Sequence, residues 1–253
     1  TSHLNVGGIT TTVVSLAEAC ATRGDHVMVA SGGGLLERRL AANGITCVQV
    51  PLNTSAELSP LVSVAYAQLL RFLRTQPVDL VHAHTRVAQV VAHWLWRRHH
   101  IPYVTTWHGF YRRRLSRRWW PCTGLLTIAI SEPVARHLRE VFLVPPERIK
   151  LIPHGIDVSR FDVAPSAEEV RQFRQRLGLP EASCVIGTVS RLAPDKGLEH
   201  LLEGFRTLLH QMPDAQLLIV GDGAARAALE RHARTLGIGS VVHFAGSLPD
   251  TRL

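Results

Sequence analysis

Two cations, Arg191 and Lys196, bracket Leu192-Ala193-Pro194-Asp195, and Gly197 with an amphipathic stretch follows at once. They come just after an apolar run, residues 184–189, with the composition of a strand. A guanidinium and an ammonium at the carboxyl end of a strand, beside a fresh helix N-terminus, suit a diphosphate. The same pattern is met as often in a solvated loop with a helix cap. Gly7-Gly8-Ile9 precedes a helical pattern. Missing side chains there let backbone N–H groups approach a phosphate, although a tight turn explains the pair as well and the GxGxxG spacing is absent. Gly221 and Gly223, in Val220-Gly221-Asp222-Gly223, form another strand-to-helix glycine turn. His82, His84 and His108 stand near predicted strand ends and could hydrogen-bond a hydroxyl or phosphate; a lone histidine in that place is more often structural. His82 and His84 are spaced for a metal, but no third ligand and no Asp-x-Asp pair accompanies them, so no metal is expected.

The elements that must position these residues alternate. Strand-like runs at 26–30, 46–50, 80–82, 102–106, 125–130 and 149–152 are separated by helical patterns at 11–23, 61–74, 88–98 and 132–141. After a polar, proline-containing stretch at 153–165 the alternation resumes: helix 167–177, strand 184–189, helix 198–211, strand 216–220, helix 224–236 and strand 241–244. Such alternation means βαβ crossovers and parallel sheets with helices on both faces. The expected architecture is α/β, with a Rossmann-like domain over 1–160 lacking its first strand and a partial one over 161–253. Both ends read as cut, so a fragment is expected.

Over 253 residues the net charge is +8, and its source is local. Between Asp79 and Glu132 there is no acidic residue but eight arginines, whose removal leaves 20 basic and 20 acidic residues. All five tryptophans lie there too. Arg112, Arg113, Arg114, Arg117 and Arg118, with Trp119 and Trp120, suit an anionic membrane surface. They also fit nucleic acid, or a solvated basic face with tryptophans turned into the core. No apolar run reaches the ~20 residues of a spanning helix. Four scattered cysteines suggest neither a disulfide framework nor a zinc site, and a cytoplasmic setting is the default.

Taken in order, the motifs resemble family 4 of the glycosyltransferases, the retaining group with the GT-B fold. The matching pieces are Gly7-Gly8-Ile9, Val81-His82-Ala83-His84, His108-Gly109, Ile152-Pro153-His154-Gly155-Ile156-Asp157, Ser190-Arg191-Leu192 with Lys196-Gly197, and Val220-Gly221-Asp222-Gly223. The resemblance implies two Rossmann-like domains facing a cleft. It also implies metal-independent transfer of a sugar from a nucleotide-sugar, commonly a UDP-sugar, to a glycan or lipid-linked acceptor, with no resident cofactor. By carry-over Gly7 and Gly8 line the cleft, Arg191 and Lys196 hold the diphosphate, Gly221 and Gly223 shape the nucleotide side, and His108 lies near the transferred sugar. Many such enzymes extend lipid-linked or envelope glycans, lipopolysaccharide included, and dock on the inner membrane face through basic and aromatic residues. Alternatives are a sugar-nucleotide epimerase of the same architecture, or a membrane- or nucleic-acid-binding module.

Two departures stand out. Position 154 is His where the family usually has Asn, which is expected to alter local turn chemistry more than function. The family's two glutamates, with seven residues between them, fall beyond Leu253; Glu132 and Glu140 share the spacing by accident, on a first-domain helix. The chain as given is therefore expected to turn over little or not at all.

Overall fold

The computed structural model describes residues 1–5, 7–54, 56–112, 117, 120–156, 158–162 (backbone only at 160) and 164–248. It divides into two compact units, Thr1–Ile156 and Asp157–Leu253.

In the first unit, α1 (Gly8–Thr22), β1 (Met28–Ser31), α2 (Glu37–Ala42) and β2 (Thr46–Gln49) are followed by α3 (Pro60–Leu73), β3 (Val81–Ala83) and α4 (Arg86–His99). Then come β4 (Tyr103–Trp107), β5 (Leu126–Ala129), α5 (Glu132–Phe142) and β6 (Ile149–Leu151). β1 pairs with β2, and β3 to β6 pair in chain order, every pair parallel. Residues 1–4 run extended beside the segment after β1: Leu4 N–H donates to the Gly33 carbonyl, and the Ser2 carbonyl accepts from Gly32.

Local chemistry sets the helix ends. Ser59 Oγ accepts from Leu61 N–H to open α3, and Ser131 Oγ accepts from Val134 N–H to open α5, each with a proline in the first turn. The short helix α2 has no counterpart in the apolar periodicity, because Leu40 is its one buried residue. α4 begins before the apolar stretch that announces it. Thr85 is extended at its N-cap, and Arg86 is buried rather than solvated. Trp107, 1% exposed, closes the core under β4 and α5, edge-on to Tyr111 and Phe142 at 4.7 Å each.

The second unit holds α6 (Ala167–Arg176), β7 (Val185–Val189), α7 (Leu198–Leu208), β8 (Gln216–Val220), α8 (Arg226–Thr235) and β9 (Val242–Gly246). Its sheet runs β7-β8-β9, all parallel. β8 is buried at every position, as a central parallel strand must be when both faces are covered. Leu217 and Ile219 face Leu202, Phe205 and Leu229 on one side, while Leu218 and Val220 meet Phe173 and Leu179 on the other. Each fully buried leucine stabilises the unit by roughly 1.5–3 kcal/mol relative to exposure. Helices on both faces of a parallel sheet make this a doubly wound unit, and its strand ends fix where the loops converge.

Candidate active site

In the first unit, the carboxyl ends of β3, β4 and β6, the last separated from β4 by β5, gather histidines. β3 carries His82 and delivers His84, β4 delivers His108, and the segment after β6 delivers His154. His82 Nε2 lies 2.7 Å from Thr106 Oγ1, and its ring lies 4.1 Å from that of His84, tilted by 34°. His84 Nδ1 is 3.2 Å from His108 Nε2, and His108 Nδ1 is 3.2 Å from His154 Nε2. The outer two rings stack at 5.1 Å with 19° between planes. Burial lowers the His84 imidazole to about 2, with His82 and His108 adding to the shift. Burial likewise brings His82 and His108 to about 4 each. At neutral pH these three rings are uncharged, so they position hydroxyl groups and offer lone pairs rather than supply a cation.

Position 154, expected to alter local turn chemistry more than function, also places its ring as a direct partner of His108. The signal was in the sequence, as a histidine following a strand, but its partner lies 46 residues away.

Gly7 is the N-cap of α1 with φ 169°, ordinary extended backbone, and neither Gly7 nor Gly8 occupies the left-handed region. A Cβ built on either meets nothing within 4 Å. No tight turn needs these glycines, and the surface at the start of α1 is open. Thr12, one turn on, donates to the Gly8 carbonyl at 3.0 Å and lies 3.5 Å from His154 Nδ1. The two motifs of this unit, the glycine pair and His108, are thereby linked through His154.

In the second unit, Arg191 and Lys196 come together. Leu192, fully buried, pins the loop after β7, and a single helical turn, Pro194–Lys196, folds it back. Arg191 Nη2 is 3.3 Å and Lys196 Nζ 3.9 Å from the carboxylate of Asp195, with all three side chains well exposed. Gly221 and Gly223 are required here for a reason the motif did not convey. Both have positive φ, 132° and 158°. A Cβ on Gly221 would stand 1.9 Å from the Ser190 carbonyl oxygen, and one on Gly223 2.2 Å from that of Leu192. Backbone packs on backbone, with Ser190 N–H donating to Val220 and Leu192 N–H to Asp222. A separate open indentation of about 330 Å³, lined by Glu203, Arg206, Thr207, His210 and Leu236, contains none of the expected residues.

Of the basic segment, Arg113, Arg114, Arg118 and Trp119 lie outside the described residues. Arg112 and Trp120 are exposed. Arg117 is a correction to the membrane-surface expectation. Its Nε is 2.5 Å from Glu57, whose other oxygen lies 3.0 Å from Arg86 Nε, and the three side chains are 11%, 8% and 7% exposed. A guanidinium sequestered on a carboxylate is not offered to lipid phosphate. Arg86 also donates to the Trp120 and Pro121 carbonyls, so the pair fastens the far end of this segment to α4. Glu132 and Glu140 share a surface helix, where Glu132 pairs with Arg139 at 2.7 Å. Among the described residues no group of three or more His, Cys, Asp or Glu could hold a metal ion, and no helix is long and apolar enough to cross a membrane.

Parallel sheets joined by helical crossovers, with the expected residues on strand-end loops, define a Rossmann-like class of α/β proteins, and comparison narrows it. Residues 6–160 match the profile of Glycosyltransferase Family 4 and residues 169–253 that of Glycosyl transferases group 1. The chain belongs to Glycosyltransferase Family 4, and its fold is that of GT-B glycosyltransferases. It is 30% identical over 285 residues to D-inositol 3-phosphate glycosyltransferase of Corynebacterium jeikeium, covering 98% of this chain and 67% of that protein. Identity to an uncharacterized glycosyltransferase of Methanocaldococcus jannaschii is 26% over 264 residues, covering 95% of this chain. The chain spans 66% of that archaeal protein's length, just under two-thirds. Among solved structures, Anabaena HepE in complex with UDP and glucose matches with a TM-score of 0.78 at 21% identity, over 96% of this chain and 66% of that one, a likeness of fold.

Proposed function

We propose that this chain serves a retaining, metal-independent glycosyltransferase that moves a sugar from a nucleotide-sugar, specifically a UDP-sugar, to a glycan or lipid-linked acceptor. The observation that carries the proposal is the convergence of Arg191 and Lys196 on one carboxylate beyond β7. Two cations that meet a carboxylate there can meet a diphosphate in the same place. As the bond between the anomeric carbon and the phosphate oxygen breaks, negative charge grows on the departing diphosphate. A guanidinium and an ammonium held at that point stabilise the transition state more than the ground state. Neutral His108 positions the transferred sugar, and the unobstructed glycines at the start of α1 leave room for a ligand to approach backbone N–H groups. UDP is favoured because it is the family's common nucleotide and is named in the HepE complexes. Arg112 and Trp120, with their neighbours, suit docking on the cytoplasmic face of an anionic membrane.

Titration calorimetry with UDP and GDP on the purified chain tests the core of this reading without requiring turnover. UDP binds, and R191A with K196A weakens it by about a hundredfold or more, as expected for the loss of two charge-assisted contacts worth roughly 1.5–3 kcal/mol each. Undiminished binding by the double variant would overturn the assignment.

A further inference from the structure

Three imidazoles in a row constrain one another. At 3.2 Å each nitrogen–nitrogen contact holds a single proton, so one ring donates and the other accepts. His84 and His108 are uncharged at neutral pH, and a neutral imidazole has one donor and one acceptor nitrogen. A row of three singly protonated rings has two arrangements: all three protons on Nδ1, or all three on Nε2. Both nitrogens of His108 are engaged in either case, and which one carries the proton is decided at the ends of the row.

The outer end points to an answer. Thr12 Oγ1 has one proton, and its 3.0 Å contact with the Gly8 carbonyl is shorter than its 3.5 Å contact with His154 Nδ1. The proton goes to the carbonyl, which leaves the oxygen as acceptor for His154 Nδ1–H. His154 Nε2 then accepts from His108 Nδ1–H, and His108 Nε2 accepts from His84 Nδ1–H.

We propose that His154, aided by Thr12, is a positioning residue that fixes the tautomer and ring rotation of His108, joining the helix α1 glycine turn to the β4 strand end through a directed row of histidines. The inference adds to the reading of His108 as a group beside the transferred sugar, because it states which nitrogen holds the proton and what a substrate hydroxyl must displace. A hydroxyl that takes the place of His84 meets a lone pair on Nε2 and must donate; one that takes the place of His154 meets Nδ1–H and must accept.

The test reads the imidazole nitrogen shifts of the isotope-labelled chain at neutral pH, with an H108Q spectrum to assign the ring. It needs no donor, acceptor or turnover, so it succeeds or fails independently of the sugar-transfer reading. The expected result is a protonated Nδ1 and a pyridine-like Nε2 for His108. H154L abolishes that single form, leaving the two nitrogens with averaged shifts. H154Q, whose carbonyl oxygen reaches the place of His154 Nε2, restores it. T12V, a change at a half-buried position of α1, moves the His108 shifts toward the averaged values without touching the ring. A protonated Nε2 on His108 in the unaltered chain overturns the proposal, and so do His108 shifts left unmoved by both H154L and T12V.

Discussion

Arg191 and Lys196 are opposed by a carboxylate of their own loop. Asp195 is 62% exposed, so its pairing with Arg191 is worth at most ~1 kcal/mol. D195N is therefore expected to tighten UDP binding by no more than about fivefold, and calorimetry on the variant would show it. The histidines carry a second prediction. Their folded-state values are pushed down from 6.5, to about 4 for His82 and His108 and about 2 for His84. Below pH 6.5 the unfolded chain binds protons that the folded chain refuses, so stability falls as pH drops toward 4 and is full above 6.5. Urea midpoints measured across that range should decline, and less steeply in H84Q; parallel slopes would contradict the assignment. The cation pair and His108 were legible from residue type and place after a strand. His154 was not, because its role depends on a ring 46 positions away and a single sequence shows no such pairing.

Among the elements, α4 is the most burdened. Glu57 sits between Arg86 and Arg117, and although burial pushes its carboxyl upward, the two guanidiniums outweigh that and hold it below the usual range. E57Q leaves two sequestered cations without a counter-charge, a change expected to cost about 3–5 kcal/mol in chemical denaturation. Gln89, on the same helix, is fully buried, and both of its amide atoms lack a protein partner. Q89L removes that unmet demand and is expected to raise the denaturation midpoint, by about 1 kcal/mol or more in stability. The alternation of elements and most of their boundaries followed from apolar runs bounded by turns. The six-residue α2, with Leu40 alone to bury, gave no period to find. Arg117 read as solvated because a stretch free of acidic residues hides a partner located on another part of the chain.

For the molecule as a whole, part of the basic segment behind the +8 charge is used within the fold. Arg86 and Arg117 are consumed by Glu57. Replacement of Arg112, Arg113, Arg114 and Arg118 by serine is therefore expected to weaken sedimentation with anionic vesicles by about 1 kcal/mol per lost cation near the surface. R117S should instead lower thermal stability, and unchanged vesicle binding by the fourfold variant would end the membrane reading. Each unit has its own core, and in the second the loop bearing Arg191 is clasped to the Gly221–Gly223 turn with no space for a methyl group. That has a practical consequence for anyone diversifying this chain toward a new donor. Codons 221 and 223 belong outside the library, since every alternative there pries the cation-bearing segment off its neighbour before any change in preference can be selected. Variation is tolerated on the solvent side, at Asp195 of that loop and Glu199 in the first turn of the helix that follows, where side chains can be exchanged while the clasp beneath them holds.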